Sequence, residues 1–187
     1  MSENLLKVGE QGLNALEAHL LKKRTVLLFG EIDATAAAKA IASILYLEDE
    51  DAVEPIKLYV NSTGGCETEV LAIYDIMRTV RCPIETLCVG KAHGLAAILL
   101  AGGEKGLRKA YANSEIMLTQ VGRERTFGQA SDIELETDHL LESKKRITAL
   151  LALLCNKNEA DVYGDLERKF FLFAEGAKEY GIIDEII

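Results

Sequence analysis

Residues 84–101 read Ile84-Glu-Thr-Leu-Cys-Val-Gly-Lys-Ala-His-Gly-Leu-Ala-Ala-Ile-Leu-Leu-Ala101. The apolar start predicts a buried strand over Ile84 to Val89, and the alanine-rich end predicts a helix over Ala96 to Ala101. A tight strand-to-helix turn exposes one side chain beside free backbone N–H groups, which suits a nucleophile and an oxyanion site. Gly94 occupies that exposed position, and no serine occurs between Ser62 and Ser114. The turn therefore lacks a nucleophile.

Helix and strand patterns alternate along the rest of the chain. Further strands are predicted at Thr25 to Phe29, Ile56 to Asn61, Leu107 to Tyr111, Glu115 to Thr119 and the end of the chain at Ile187. Further helices are predicted at Leu13 to Leu21, after the turn Ser62 to Gly65, at Ser131 to Leu154, and at Ala174 to Tyr180 before Gly181. Another helix is predicted after Asp33, which can cap it, and its apolar stripe is Ala37, Ile41, Ile44 and Leu45. Glu48 to Asp51 is expected to be a solvated acidic turn. Repeated β-α units with short connections predict a largely parallel sheet in one α/β domain.

Composition narrows the class of protein. The 187 residues are long enough for one domain with a substantial core, and 49% hydrophobic with 27% charged residues is an ordinary globular balance. A net charge of −9 argues against nucleic acid or an anionic membrane as the main partner. The four cysteines, Cys66, Cys82, Cys88 and Cys155, show no metal-ligand spacing, so we expect reduced thiols and no metal or other cofactor. With no signal peptide and no spanning segment recognised, we expect a cytoplasmic protein.

Several motifs, in order and at matching spacing, resemble the Clp protease proteolytic subunit family of self-compartmentalising serine peptidases. The motifs are Leu20-Leu-Lys-Lys-Arg24, Leu58-Tyr-Val-Asn-Ser-Thr-Gly-Gly65, Ala72-Ile-Tyr-Asp-Ile-Met77, Gly128-Gln-Ala-Ser-Asp-Ile-Glu134 and Ala177-Lys-Glu-Tyr-Gly-Ile-Ile-Asp184. The resemblance covers Leu20 to Ile187. It implies the Clp protease/crotonase-like fold, a ββα superhelix with a protruding strand-helix handle. One such domain would span 1–187, with residues 1–14 as an N-terminal segment and about 121–154 as the handle.

All three catalytic positions of the family are changed here. Gly94 stands at the serine of the family's GQAASMGA turn, Thr119 at the histidine of its IMIHQP strand end, and Lys169 at the aspartate before its FLSAxEA stretch. Glycine has no Oγ, threonine cannot accept a proton as imidazole does, and lysine reverses the charge that would hold an imidazolium. The resemblance therefore implies a member of the family without its triad.

The remaining groups of the site allow binding more readily than cleavage. The resemblance assigns the oxyanion hole to the backbone N–H groups of Gly65 and Leu95. The alternative is that the glycines here simply permit tight turns. His93 precedes Gly94 on the turn and is expected to pack rather than to act as a base. Cys66 is the one thiol near the oxyanion loop, but a thiol without an adjacent base is a weak nucleophile.

Assembly surfaces follow from the same resemblance. The handle pairs two rings of seven in this family, and Arg168, preceded by Glu167, matches an inter-ring arginine. Leu135, Leu140, Leu141 and Ile147 give the long helix more apolar surface than a solvated helix needs. Tyr46 and Tyr59 match aromatic residues of the family's ATPase-docking groove, whereas Lys57 and Thr79 stand where aromatic residues are usual. The resemblance therefore favours ring assembly and puts direct docking of a Clp ATPase in doubt.

The leading hypothesis is a catalytically inactive homologue of the Clp proteolytic subunit. It would act as a structural or regulatory subunit of homo- or hetero-oligomeric rings, beside an active paralogue. One alternative is an enzyme on the same crotonase-like scaffold, with acyl-CoA chemistry through His93, Glu67 or Glu69, or with residual peptidase activity. Another is a homo-oligomeric chamber that binds peptides without an active partner.

Overall fold

The computed structural model describes residues 16–120, 122 and 129–187. Seven strands are described: β1 (Thr25–Ile32), β2 (Ile56–Gly65), β3 (Ile84–His93), β4 (Arg108–Ala110), β5 (Glu115–Leu118), β6 (Phe170–Phe173) and β7 (Glu185–Ile186). The helices within the same residues are α1 (16–22), α2 (Ala34–Glu50), α3 (Glu67–Thr79), α4 (Ala96–Ala101), α5 (Ala130–Cys155), α6 (Glu159–Leu166) and α7 (Ala174–Tyr180). The N-terminal segment 1–14 and most of the loop from Val121 to Gln129 lie outside the described residues.

The strands form one sheet in which β3 is the central member. The hydrogen-bonded order is β1-β2-β3-β4-β7, and these neighbours are all parallel. The first half of β3 pairs with β4, and its second half, Lys91 to His93, pairs with β5. Only the β5–β6 pair is antiparallel among the described strands. The prediction of a largely parallel sheet in an α/β fold is therefore confirmed.

The core lies under one face of this sheet. All six residues of α4 are buried, which is why an alanine-rich segment follows the Gly94 turn: a bulkier helix would not fit between the sheet and α5. Along β1 and β2, buried side chains alternate with more exposed ones, so helices cover one face and leave the other more open. No helix among the described residues is both long and apolar enough to cross a membrane.

The prediction of a turn over Glu48 to Asp51 is wrong, although Asp49, Glu50 and Asp51 are exposed as expected. α2 continues through Glu50, because Leu47 is buried on the same face as Ala37 and Ile44, and the Asp51 N–H donates to the Leu47 carbonyl at its end. Leu45 is also not part of the buried stripe. It is 42% exposed, and Ala40 and Leu47 are buried instead.

Several predicted turns are strand in the structure. Ser62 to Gly65 continues β2, and Gly90 to His93 continues β3, so the turn before α4 consists of Gly94 and Leu95 alone. The reason is pairing: the end of β2 hydrogen-bonds with β1 up to Ile32, and the end of β3 pairs with β5. The sequence reading also missed α6 and the short strand β6.

Candidate functional site

The turn at Gly94 is held by the strand beside it. Gly94 has a φ of +56°, its N–H donates to the carbonyl of Met117 on β5 (2.8 Å), and its carbonyl accepts from the Ala97 N–H (3.1 Å). A positive φ is strained for any residue with a β-carbon. The short turn that links β3 to α4 is therefore fixed at both ends, and Gly94, which is half-buried, carries no side chain on it.

Two glycines at the end of β2 allow close backbone contacts: Gly64 lies against the residues that flank Gly94, and Gly65 lies against Ile32 on β1. A β-carbon on Gly64 would lie 2.9 Å from the His93 carbonyl oxygen and 3.3 Å from the Leu95 nitrogen, and one on Gly65 would lie 2.1 Å from the Ile32 carbonyl oxygen. Both contacts are too short for a side chain. The buried Ser62 hydroxyl accepts from the Gly64 N–H (3.0 Å) and stabilises the local geometry. The Leu95 N–H has no acceptor among the described residues.

Of the three positions that the motifs predict to match the family's triad, the structure brings two together. A β-carbon on Gly94 would contact Thr119 Cγ2 at 3.6 Å. Lys169 directly precedes Phe170, and Phe170 is the register partner of Leu118, which directly precedes Thr119. Lys169 and Thr119 therefore lie at the same end of the antiparallel β5–β6 pair. Lys169 is exposed, and it is not among the described residues that line the cavity beside Gly94. The three positions offer a hydroxyl and an ammonium group but no imidazole and no carboxylate.

A cavity of about 610 Å³ opens beside Gly94, Leu95 and Thr119. One face of α3 forms one wall, with Glu67, Thr68, Leu71, Ala72 and Asp75. One face of α5 forms another part of the lining, with His139, Ser143 and Arg146. The sequence reading missed all three α5 residues. Their spacing of i, i+4 and i+7 is a helical stripe, but only the tertiary structure shows that this stripe faces α3.

Cys66 lies at the start of α3 and contributes to the same cavity. Its thiol is exposed, and its sulfur lies 3.0 Å from the Thr68 hydroxyl oxygen. Hydrogen bonds from the side chain and backbone of Thr68 lower the pKa of the Cys66 thiol below its usual value. In contrast, burial raises the pKa of the Cys88 thiol to about 11, as for a core residue. Of the four cysteines, Cys66 is the one whose thiol is exposed and has a lowered pKa.

His93 packs away from the cavity. Its ring stands edge-on to the ring of Phe171 on β6, with centroids 6.2 Å apart. Nε2 lies 2.9 Å from Glu115 Oε1, but outside hydrogen-bonding geometry, and it is buried without a hydrogen-bond partner among the described residues. His93 does not line the cavity, whereas Glu67 does and Glu69 does not. Of the candidate acids and bases, only Glu67 therefore reaches the site.

The described part of the predicted handle, the helix α5, presents apolar side chains to solvent. On α5, Leu135 is 69% exposed and Leu141 is 49% exposed, whereas Ile147 is buried in the subunit's own core. The carboxylate of Glu167 accepts a hydrogen bond from the Lys144 ammonium group, which lowers the pKa of Glu167 and raises that of Lys144. Arg168 is exposed and forms no ion pair with a described residue.

The outer surface near α2 and β1 exposes more apolar side chains than the sequence predicts. Tyr46 is 51% exposed and Tyr59 is half-buried. Leu27 on β1 is the register partner of Tyr59, and it is 40% exposed; Phe29, two residues further on, is 49% exposed. Sequence reasoning did not single out Leu27 and Phe29, because alternation alone does not tell which face of a strand is covered.

Comparisons with known proteins agree with the motifs. The family model described as Clp protease matches residues 8–187. The ATP-dependent Clp protease proteolytic subunit 1 of Thermobifida fusca (strain YX) is 42% identical over 168 residues, which are 90% of this chain and 76% of that protein. The match spans every described strand and helix, so the Clp protease/crotonase-like fold predicted from the motifs is confirmed.

Proposed function

This chain belongs to the Clp protease family, and we propose that within it the chain is a catalytically inactive homologue of the proteolytic subunit. One observation carries the proposal: the turn at the nucleophile position is built and fixed, yet Gly94 has no atom that could attack a carbonyl. Thr119 beside it supplies no general base, and a triad that loses even one member loses most of its rate.

The chain acts as a structural or regulatory subunit of a ring-shaped ATP-dependent protease complex. Exposed leucines on α5 support assembly through the handle, since such apolar surface is characteristic of interfaces. The guanidinium group of Arg168, which is exposed and has no ion pair with a described residue, supports it too. An active paralogue in the same rings would supply hydrolysis. The inactive subunit would then alter the composition of the ring, access to its chamber, or the docking of partners.

Light scattering and native mass spectrometry test this assembly. The purified chain is measured alone and after mixing with a purified active Clp proteolytic subunit from the same source. We expect ring-sized particles, with masses between those of the two homo-oligomers after mixing. A chain that stays monomeric at micromolar concentration contradicts the proposal. Rings that never mix favour the peptide-binding chamber without an active partner.

Cys66 favours residual peptidase activity as a second candidate function. Its thiol is exposed, has a lowered pKa and shares the cavity with the Leu95 N–H, which could stabilise an oxyanion. Cys66→Ala would then abolish any peptide hydrolysis, and alkylation with iodoacetamide would do the same. Hydrolysis that survives both treatments excludes Cys66 as the nucleophile. The acyl-CoA alternative has less support, because His93 faces away from the cavity; saturable binding of an acyl-CoA would revive it.

A further inference from the structure

The surroundings of helix α5 change at Ser143. No residue from 129 to 142 is buried, although Leu135 and Leu141 are apolar. From Ser143 onward buried residues recur at helical spacing: Ser143, Lys144, Ile147, Thr148, Leu151, Ala152 and Cys155. A helix of about 12–15 residues without tertiary packing is marginal in water. The first half of α5, residues 130–142, which we call the arm, therefore depends on the packed half for support.

The first long side chain of the packed half is a buried lysine. Lys144 is only 8% exposed. Its ammonium nitrogen lies 3.9 Å from the centre of the Tyr163 ring on α6, and it donates a hydrogen bond to the carboxylate of Glu167, which directly follows α6. A cation–π contact and a charge-assisted hydrogen bond both stabilise an ammonium group that has lost water. We call these three side chains the clasp.

The neighbouring lysine shows that burial is specific to position 144. Lys145 is exposed, and its ammonium nitrogen pairs with the Glu142 carboxylate at 2.8 Å within α5 itself. A lysine stem usually carries its charge out to water in this way. Lys144 instead joins α5 to the connection between α6 and β6, which also contains Arg168 and Lys169.

We propose that Lys144 is a positioning residue: the clasp marks where the arm begins and fixes the direction in which the arm leaves the subunit. His139 on the arm and Arg146 beyond the clasp both line the cavity, so the clasp also places the α5 part of that lining. Without it, local opening of the arm would pass Lys144 and stop at the next buried turn, at Ile147. The consequence for assembly rests on the proposed function, because the arm carries the exposed leucines.

The test is hydrogen exchange of the full-length chain in its native assembly, measured at single residues by mass spectrometry. Lys144→Met keeps an apolar stem but removes the ammonium group. We expect the amides of residues 144–148 to exchange about tenfold faster, as for the loss of one hydrogen bond between charged groups. The amides of residues 151–155 should keep their rates.

Lys145→Met is the matched control, because it makes the same chemical change at the next residue, in an exposed pair. It should change the exchange of residues 144–148 by less than about twofold, as expected for a surface ion pair. Equal exchange in the two lysine variants, or in Lys144→Met and the wild type, overturns the proposal.

Glu167→Gln tests the other side of the clasp. Glu167 is half exposed, so this variant should fold, and it decides the question if Lys144→Met does not. It removes the carboxylate and keeps the Tyr163 contact, so the same amides should exchange faster, but less so than in Lys144→Met. In the Lys144→Met background it should add nothing. An equal increase in both backgrounds would show that Glu167 acts through another group, and would overturn the clasp.

Light scattering separates this inference from the proposed function. A mass that shifts toward the monomer in Lys144→Met, and not in Lys145→Met, supports the role of the clasp in directing the arm. Faster exchange with an unchanged mass overturns that role and supports the boundary at Lys144 alone. A wild-type chain that stays monomeric overturns the assembly proposal, whereas its exchange rates still decide whether the clasp sets the boundary of the arm.

Discussion

Gly94 and Thr119 face each other across the turn: a β-carbon on Gly94 would lie 3.6 Å from Thr119 Cγ2. This is an ordinary van der Waals distance, so the site has room for a small side chain that the sequence does not provide. The two positions that the motifs match to the family's nucleophile and base are therefore adjacent, and they carry no side chain at Gly94 and a hydroxyl at Thr119.

Gly94→Ser is expected to give a folded protein without serine-specific activity. The added side chain fits beside Thr119, but the φ of +56° strains any residue with a β-carbon by about 1 kcal/mol. Thr119, at the position matched to the family's base, has no imidazole to accept the proton of the hydroxyl. Thermal unfolding should show the small loss of stability, and a fluorogenic peptide assay should show no turnover. Turnover that a serine-reactive phosphonate blocks would mean that another general base serves this turn.

Gly65→Ala is expected to destabilise the fold by about 3 kcal/mol. Its β-carbon would lie 2.1 Å from the Ile32 carbonyl oxygen, so β1 and β2 would have to separate at the edge of the cavity. Gly164→Ala is the matched control: it lies in α6 with open space around it, and should stabilise the protein by about 0.5–1 kcal/mol. Equal unfolding temperatures for the two variants would contradict this packing.

Asp184 makes the free energy of unfolding depend on pH in the acidic range. Burial raises the pKa of this carboxyl, but hydrogen bonds from the Arg108 side chain and backbone and from the Gly106 N–H outweigh it, so the pKa lies below its usual value of 3.8. The stabilisation is therefore complete above that value and is lost as the pH falls through the lower folded-state pKa. A urea titration series from pH 7 to pH 2 should show this loss.

Asp184→Asn removes that dependence at the cost of stability. The side chain of Arg108 is only 6% exposed and also donates to the carbonyls of Leu154 and Gly181. Without its carboxylate partner, the buried guanidinium group should cost about 3 kcal/mol at pH 7. The free energy of unfolding of this variant should change less than that of the wild type between pH 5 and pH 2. An unchanged acid transition would show that other carboxylates control it.

The double variant Leu135→Glu with Leu141→Glu should weaken assembly without unfolding the subunit. Both leucines are exposed on α5, so their replacement should change the stability of the single subunit by less than about 0.5 kcal/mol. Charges at an apolar interface should shift the mass from light scattering toward the monomer. Val53→Glu, at an 81% exposed position outside the handle, is the control and should leave the mass unchanged. Intact rings in the double variant would exclude this face of α5 from the interface.

The strand-turn-helix units were predictable because their apolar runs are long and because the backbone of each turn requires glycine. The motifs predict that Gly94 and Thr119 belong to one site, and the structure brings the two positions into contact distance. Strand ends were less predictable: whether Ser62 to Gly65 is turn or strand depends on pairing with β1, which is a tertiary contact. The α5 wall of the cavity could not be found from the sequence. Polar residues at helical spacing, such as His139 and Arg146, are typical of any solvated helix face.

The most direct test of the central claim is the hydrolysis of a mixed fluorogenic peptide library by the purified chain, with and without a serine-reactive phosphonate. Mass spectrometry of the protein then shows whether any residue has been labelled. A chain without a nucleophile at Gly94 should show no turnover and no phosphonate adduct. Turnover of the library by the homogeneous chain would contradict the claim, and its sensitivity to phosphonate or to iodoacetamide would show whether a displaced serine or Cys66 is responsible.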